Sequence, residues 1–203
     1  MNQPVSTADY RQNLRREMRR KRRGLSEQQH KLASQGLLRT IRRLPAFKKS
    51  KNVAIYLASD GEIDAKPIID LCWSLGKNCY LPILHPVKHN RLWFMPYTPR
   101  TRLHNNKYKI LEPAEVKQPR RPAWAMDLVL LPLVAFDPQG GRLGMGGGYY
   151  DRTFSFKQKW RQGGGTKMIG LAHDLQKVEK LEIASWDIPL EGIASDQAFY
   201  SSK

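Results

Sequence analysis

Apolar residues fall along the chain either at helical spacing or in short unbroken runs, and the alternation between the two sets the fold class. Over residues 8–23, Tyr10, Leu14 and Met18 stand at i, i+4 and i+8 among charged neighbours, which predicts a helix with a narrow apolar stripe. Arg11 and Arg15 are four apart and rise on one face beside that stripe. Ser26 and Gln29 have the spacing of a capping box. The helix they open would bury Ala33, Leu37, Ile41 and Leu44 before Pro45 ends it. Val53-Ala54-Ile55-Tyr56-Leu57 then reads as a short buried strand running into Ser59-Asp60-Gly61-Glu62. Asp64 would cap a helix with Ile68, Leu71, Cys72 and Leu75 on its buried face and Gly76 as its stop. Further strands are predicted at 78–83, 92–96 and 127–135, with Pro132 near the end of the last, and two more at 167–172 and 193–199.

Helices alternating with strands predict an α/β fold: one layered sheet, mixed but largely parallel, with helices on both faces. Its 203 residues suit a single domain over 1–203, with 1–9 as a flexible N-terminus. In such folds ligands sit beyond the carboxyl ends of the strands, so the loops after Leu57 and Ala135 are the places to look. The stretches 118–121 and 163–165 read as surface loops. Composition changes this picture in three respects. Only two cysteines occur, Cys72 and Cys79, without zinc-site spacing, and both read as buried thiols. No signal peptide or membrane-length apolar run is seen, so a cytoplasmic location is expected and a membrane partner is not. The net charge of +17, with eight basic residues between Arg11 and Arg23, favours a polyanionic partner without choosing one.

The candidate chemistry lies after the most apolar strand, in Phe136-Asp137-Pro138-Gln139-Gly140-Gly141-Arg142-Leu143-Gly144-Met145-Gly146-Gly147-Gly148-Tyr149-Tyr150-Asp151-Arg152. Such glycines allow close backbone approach, and successive N–H groups can cradle phosphate oxygens. Arg142 could neutralise a phosphate, and Asp151 could hold a magnesium ion. Two fingerprints fail. Gly147-Gly148 stands where a Walker loop needs Lys-Ser/Thr, and Tyr149 stands where GxGxxG needs its last glycine. The layout is therefore Rossmann-like without the dinucleotide fingerprint. A bare glycine run is as often a flexible surface loop; the Arg before it and the Tyr-Tyr-Asp after it favour a ligand loop.

Arg142-Leu143-Gly144-x-Gly146-x-Gly148-Tyr149-Tyr150-Asp151, after a strand ending Phe136-Asp137, resembles the signature of the 5-formyltetrahydrofolate cyclo-ligase family. Leu14-Arg15, Leu57 with Gly61-Glu62-Ile63, and Asp187-Ile188 agree with its other segments in order, so the likeness runs from about residue 11 to 196. The resemblance implies ATP-dependent closure of 5-formyltetrahydrofolate to 5,10-methenyltetrahydrofolate, with magnesium, ADP and phosphate. It implies that Arg11 and Arg15 hold ATP phosphates and that 142–150 (Arg142, Leu143, Gly144, Met145, Gly146, Gly147, Gly148, Tyr149 and Tyr150) wraps ATP. Arg142 and Tyr149 would act at the reacting centre. Glu62 would accept from the pterin edge, Leu57 would line the folate pocket with Tyr108 nearby, and the backbone of 145–149 would face both substrates. Asp151 and Asp187 would ligate magnesium. Each has a plainer reading: a solvated basic face for the arginines, a core residue for Leu57, a turn carboxylate for Glu62, a surface ring for Tyr108, and helix or turn caps for the two aspartates. Gly192, and His173 in Leu171-Ala172-His173-Asp174, depart from the family pattern, and His173 takes no role.

Two rivals remain on the residues alone. One is a nucleic-acid-binding protein, resting on the excess charge of residues such as Arg19, Arg20, Lys21, Arg22 and Arg23. The other is a phosphosugar- or coenzyme-A-handling relative that uses the glycine loop differently.

Overall fold

A computed structural model of the chain describes residues 7–114, 119–159, 165–182 and 187–202. Helix α1 (Thr7–Arg23) already includes residues 7–9, which were grouped with the N-terminus above. Helix α2 (Glu27–Ile41) opens on the expected box: Ser26 Oγ accepts from Gln29 N–H at 3.2 Å, and Gln29 Oε1 accepts from Ser26 N–H at 2.8 Å. Pro45 does not end this helix. It begins another, α3 (Pro45–Lys49), because proline's fixed φ and missing N–H suit a first helical position. Helix α4 (Lys66–Ser74) buries Ile68, Ile69 and Cys72 but leaves Leu75, just past its end, exposed. Its N-cap is Ala65 and not the expected Asp64, which stands one residue earlier with its Oδ1 accepting from Lys66 N–H at 2.9 Å.

Strands β1 (Asn52–Ala54), β2 (Asn78–Leu84) and β3 (Leu92–Tyr97) precede a small hairpin of β4 (Leu103–Asn105) and β5 (Leu111–Pro113). After β6 (Leu128–Pro132), the predicted strand at 127–135 breaks. Ala135–Phe136 forms its own strand, β7, paired antiparallel with β8 (Arg142–Leu143). Helices α5 (Tyr149–Phe154) and α6 (Phe156–Lys159) follow, then β9 (Lys167–Leu171), β10 (Gly192–Ala194) and β11 (Phe199–Ser201). The expected strand at 193–199 is thus a hairpin. Of the two loops expected to be plain, Arg121 instead pairs with Phe94, each N–H meeting the other's carbonyl, while residues 118, 163 and 164 lie outside the described set.

The main sheet has the order β11-β10-β9-β6-β1-β2-β3. Its inner pairs β10–β9, β9–β6, β6–β1 and β1–β2 are parallel, and the two outermost pairs are antiparallel. Alternation along the strands divides the core into two layers. Val53, Ile55, Leu128, Leu130 and Ile169 pack against Leu37, Ile41, Ile68 and Cys72 of α2 and α4. Ala54, Val129, Leu131 and Met168 face the other way, towards Met126 and the Phe154 of α5. The chain is therefore a single α/β domain with helices on both faces. Cys72 and Cys79 are free and buried. Because β1, β6 and β9 run parallel, the segments leaving them (55–62, 133–148 and 172–176) emerge at one end of the sheet.

Candidate functional site

The glycine segment is held at its base by Asp137, a buried residue. Its Oδ1 accepts from the N–H of Gln139 and Gly141, each at 2.9 Å, and its Oδ2 from Leu181 N–H at 2.8 Å. The other base point is Arg142, also buried. Its guanidinium donates to the Ile188 carbonyl and to Asp151 Oδ1, and the same Oδ1 accepts from Ile188 N–H at 3.2 Å. Arg142, Asp151 and the 187–188 segment thus form one knot. Beyond Arg142 the loop is open: Met145 is exposed, and a side chain at Gly144 would meet nothing within 4 Å. The chain then turns into α5 through Gly148 at φ 63, where a β-carbon would be strained and would stand 3.0 Å from Arg152 Nη1.

Helix α1 lies against this loop. Arg15 Nε donates to the Gly144 carbonyl at 2.8 Å, and its guanidinium carbon lies 3.7 Å from where a β-carbon of Gly146 would be. Burial lowers the Arg15 pKa, and the neighbouring Arg11 charge lowers it further. Arg11 reaches across to the Glu182 carbonyl at 3.1 Å. Arg15 thus lies against the open glycine loop with the Arg11 charge near it, an arrangement suited to a polyphosphate. On the far side, the β4–β5 turn brings Tyr108 to Tyr149, with their hydroxyls 2.9 Å apart and their rings edge-on. Burial, then the Tyr108 bond, pushes the Tyr149 phenol up to about 12, so it stays protonated and able to donate.

The third part is the turn beyond β1. Glu62 closes it on itself: Glu62 N–H donates to the Ser59 carbonyl at 2.9 Å, and Glu62 Oε2 accepts from Ser59 N–H at 3.0 Å. Burial raises the pKa of this carboxyl, against the Ser59 N–H bond and the Arg22 charge. The Glu62 charge in turn adds to the burial that raises the Tyr150 phenol, so the turn and the start of α5 face each other. Leu57 packs, partly buried, against the core.

Asp60, Arg22 and His173 also shape this site, and sequence reasoning assigned none of them to it. Asp60 adopts φ 54, and its carboxylate gathers Arg19 Nε at 2.7 Å, Arg22 Nη2 at 2.8 Å and Arg23. Burial works against this charge, but the three arginine bonds outweigh it and hold the pKa down to about 2. Arginines at i, i+3 and i+4 share one helix face, the signal that could have found them. His173 Nε2 lies 3.2 Å from the Gly61 carbonyl and its ring packs edge-on to His30. Part of the basic run thus has an internal partner. Of the rest, Lys21 pairs with Glu17 at 2.7 Å.

Magnesium bound with a nucleotide takes one or two carboxylates and completes its shell with phosphate oxygens and water. Asp151 and Asp187 are the hard oxygen donors at this place: the Ile188 N–H bond brings Asp187 within one residue of the Asp151 carboxylate, whose Oδ1 is itself held by Arg142 and that N–H. Among the described residues no group of three or more His, Cys, Asp or Glu could hold a metal by itself. No helix of the described residues is long and apolar enough to cross a membrane.

A family model for the 5-formyltetrahydrofolate cyclo-ligase family matches residues 7–196. The 5-formyltetrahydrofolate cyclo-ligase of Escherichia coli K12 is 42% identical over 179 residues, 88% of this chain and 96% of its own length. That of Haemophilus influenzae is 41% identical over 180 residues, 89% of this chain and 94% of its own. The solved 5,10-methenyltetrahydrofolate synthetase of Aquifex aeolicus superposes with a TM-score of 0.77 at 32% identity, covering 94% of this chain and 92% of that one. The Mycoplasma pneumoniae synthetase, at 23% identity and a TM-score of 0.70, shares the fold over 92% of this chain and 98% of its own.

Proposed function

This chain belongs to the 5-formyltetrahydrofolate cyclo-ligase family, and from that premise we propose that it closes 5-formyltetrahydrofolate to 5,10-methenyltetrahydrofolate in a reaction driven by ATP. The observation that carries the reading is the convergence of three parts at one end of the sheet: the open 144–148 loop, the Arg11–Arg15 pair against it, and the buried Glu62 turn facing α5. ATP supplies the phosphoryl group that converts a poor leaving oxygen into a good one. The formyl oxygen attacks the γ-phosphorus, the bond to ADP breaks, and an iminium phosphate forms on N5. N10 then attacks the formyl carbon, the carbon–oxygen bond breaks, and phosphate leaves carrying the former formyl oxygen. N10 loses its proton and the methenyl bridge is complete.

The residues have positional and electrostatic tasks in this scheme, which needs no side-chain nucleophile. Arg11 and Arg15 offset phosphate charge, and the 144–148 backbone approaches both substrates. Glu62 accepts pterin N–H groups, Leu57 lines the pocket, and Tyr108 with Tyr149 borders it. Arg142 acts from beneath, fixing the loop and holding Asp151, which with Asp187 would ligate magnesium on the phosphates. The test is the absorbance of the methenyl product on incubating protein with 5-formyltetrahydrofolate. Product should form only when ATP and magnesium are both present; equal turnover without ATP, or none under any condition, rejects the reading.

A further inference from the structure

Arg22 is among the least accessible side chains of the protein, fully buried although it is the longest cation available. A buried guanidinium is retained only where its donors are matched. Here Nε donates to the Asp60 carbonyl at 2.8 Å and Nη2 to the Asp60 carboxylate at 2.8 Å, a two-point grip on one residue. Nη1 lies 3.4 Å from the Leu133 carbonyl, just past the end of β6. The same Nη2 stands 3.9 Å from Glu62 Oε1, the oxygen not used in closing the turn on Ser59. One guanidinium therefore ties the Ser59–Glu62 turn to both α1 and the sheet, with its charge near the second oxygen of Glu62. Opposite, Gly61 at φ 71 packs so closely on α1 that a β-carbon would sit 3.0 Å from the Arg23 nitrogen. Arg19 and Arg23 hold the same Asp60 carboxylate from the solvent side, their side chains 36% and 54% exposed.

We propose that Arg22 is a positioning residue for the folate half-site: gripped on Asp60, it sets the 59–62 turn and aims the Glu62 carboxylate at the pterin. The inference rests on Glu62 being the pterin acceptor. Arg19 and Arg23 belong to the same cluster but form no ion pair with Glu62, so they brace the helix and not the carboxylate.

The experiment is steady-state kinetics, varying 5-formyltetrahydrofolate at saturating ATP and then the reverse, for Arg22→Lys, Glu62→Gln, the double variant and the controls Arg19→Gln and Arg23→Gln. Lysine keeps the charge and loses the two-point grip. Arg22→Lys should raise the folate KM about tenfold with the ATP KM within about twofold, a factor of ten being 1.4 kcal/mol. The double variant should be little worse than Glu62→Gln alone, because both changes act through one carboxylate. The controls should keep a wild-type folate KM. Should Arg22→Lys not fold, Asp60→Asn, which weakens the grip while preserving shape, carries the same expectation. A normal folate KM in either folded variant, beside a raised one in Glu62→Gln, overturns the proposal and leaves the Glu62 assignment standing. Additive effects in the double variant, or equal rises in both KM values, also overturn it. A normal folate KM in Glu62→Gln removes the assignment itself.

Discussion

Replacing His173 with glutamine isolates one buried proton site and gives a stability change of predictable sign. The imidazole is 2% exposed, and burial is the main force keeping it neutral. The nearby His30 and Arg22 oppose its charge as well, while Asp196 and the Gly61 carbonyl favour it but do not prevail. The result is a folded-state pKa lowered to about 4 from an ordinary 6.5. In the unfolded chain the ring takes up its proton near the ordinary value, so between these two values the unfolded state holds more protons. Stability must then rise with pH across that window, be fully present above it, and fall as pH drops towards 4. At 1.36 kcal/mol per unit, lowering the pH from about 8 to about 5 should remove roughly 2 kcal/mol through this site alone. Glutamine does not titrate and still offers an N–H to Gly61. Urea unfolding of both proteins at the two pH values reads the difference directly, provided the slopes agree. Wild type should lose about 2 kcal/mol more than His173→Gln. Parallel losses would show that the ring is not kept neutral, and the packing of His173 behind the 59–62 turn would be misread.

Asp151→Asn should move the magnesium titration of turnover to higher metal by at least about tenfold, as expected when one of two carboxylates leaves a hard-cation site; overlaid titrations would make Asp151 only the anchor of Arg142. Gly61→Ala should lower unfolding free energy by roughly 1–2 kcal/mol from the left-handed backbone alone, with added loss from contact with α1. An unchanged urea midpoint would contradict the close packing at that turn.

Much of the fold was legible because its signals are local. The Ser26–Gln29 box, the unbroken apolar run that becomes β6 and the stop at Gly76 each depend on residues close in sequence. Pro45 misled because proline has two meanings at helix ends, and only the following Phe47, buried in the core, shows that a new helix begins. The β4–β5 hairpin was missed since its strands, three residues each, are too short for a period to show. At the site, the glycine segment was conspicuous by spacing. The three-arginine clasp on Asp60 was not, because its partners are 37–41 residues apart and a basic helix face looks the same solvated or paired. The burial of Arg142 was hidden for a related reason: its partners, Asp151 and the Ile188 carbonyl, meet only once the loop is folded.

The fate of the formyl oxygen tests the central claim most directly. With 5-formyltetrahydrofolate carrying heavy oxygen in its formyl group, one turnover with ATP and magnesium should place that oxygen in the released phosphate, as mass spectrometry of the phosphate would show. Label appearing in water, or methenyl product formed without ADP, would contradict activation of the formyl group by phosphorylation at the 144–148 loop.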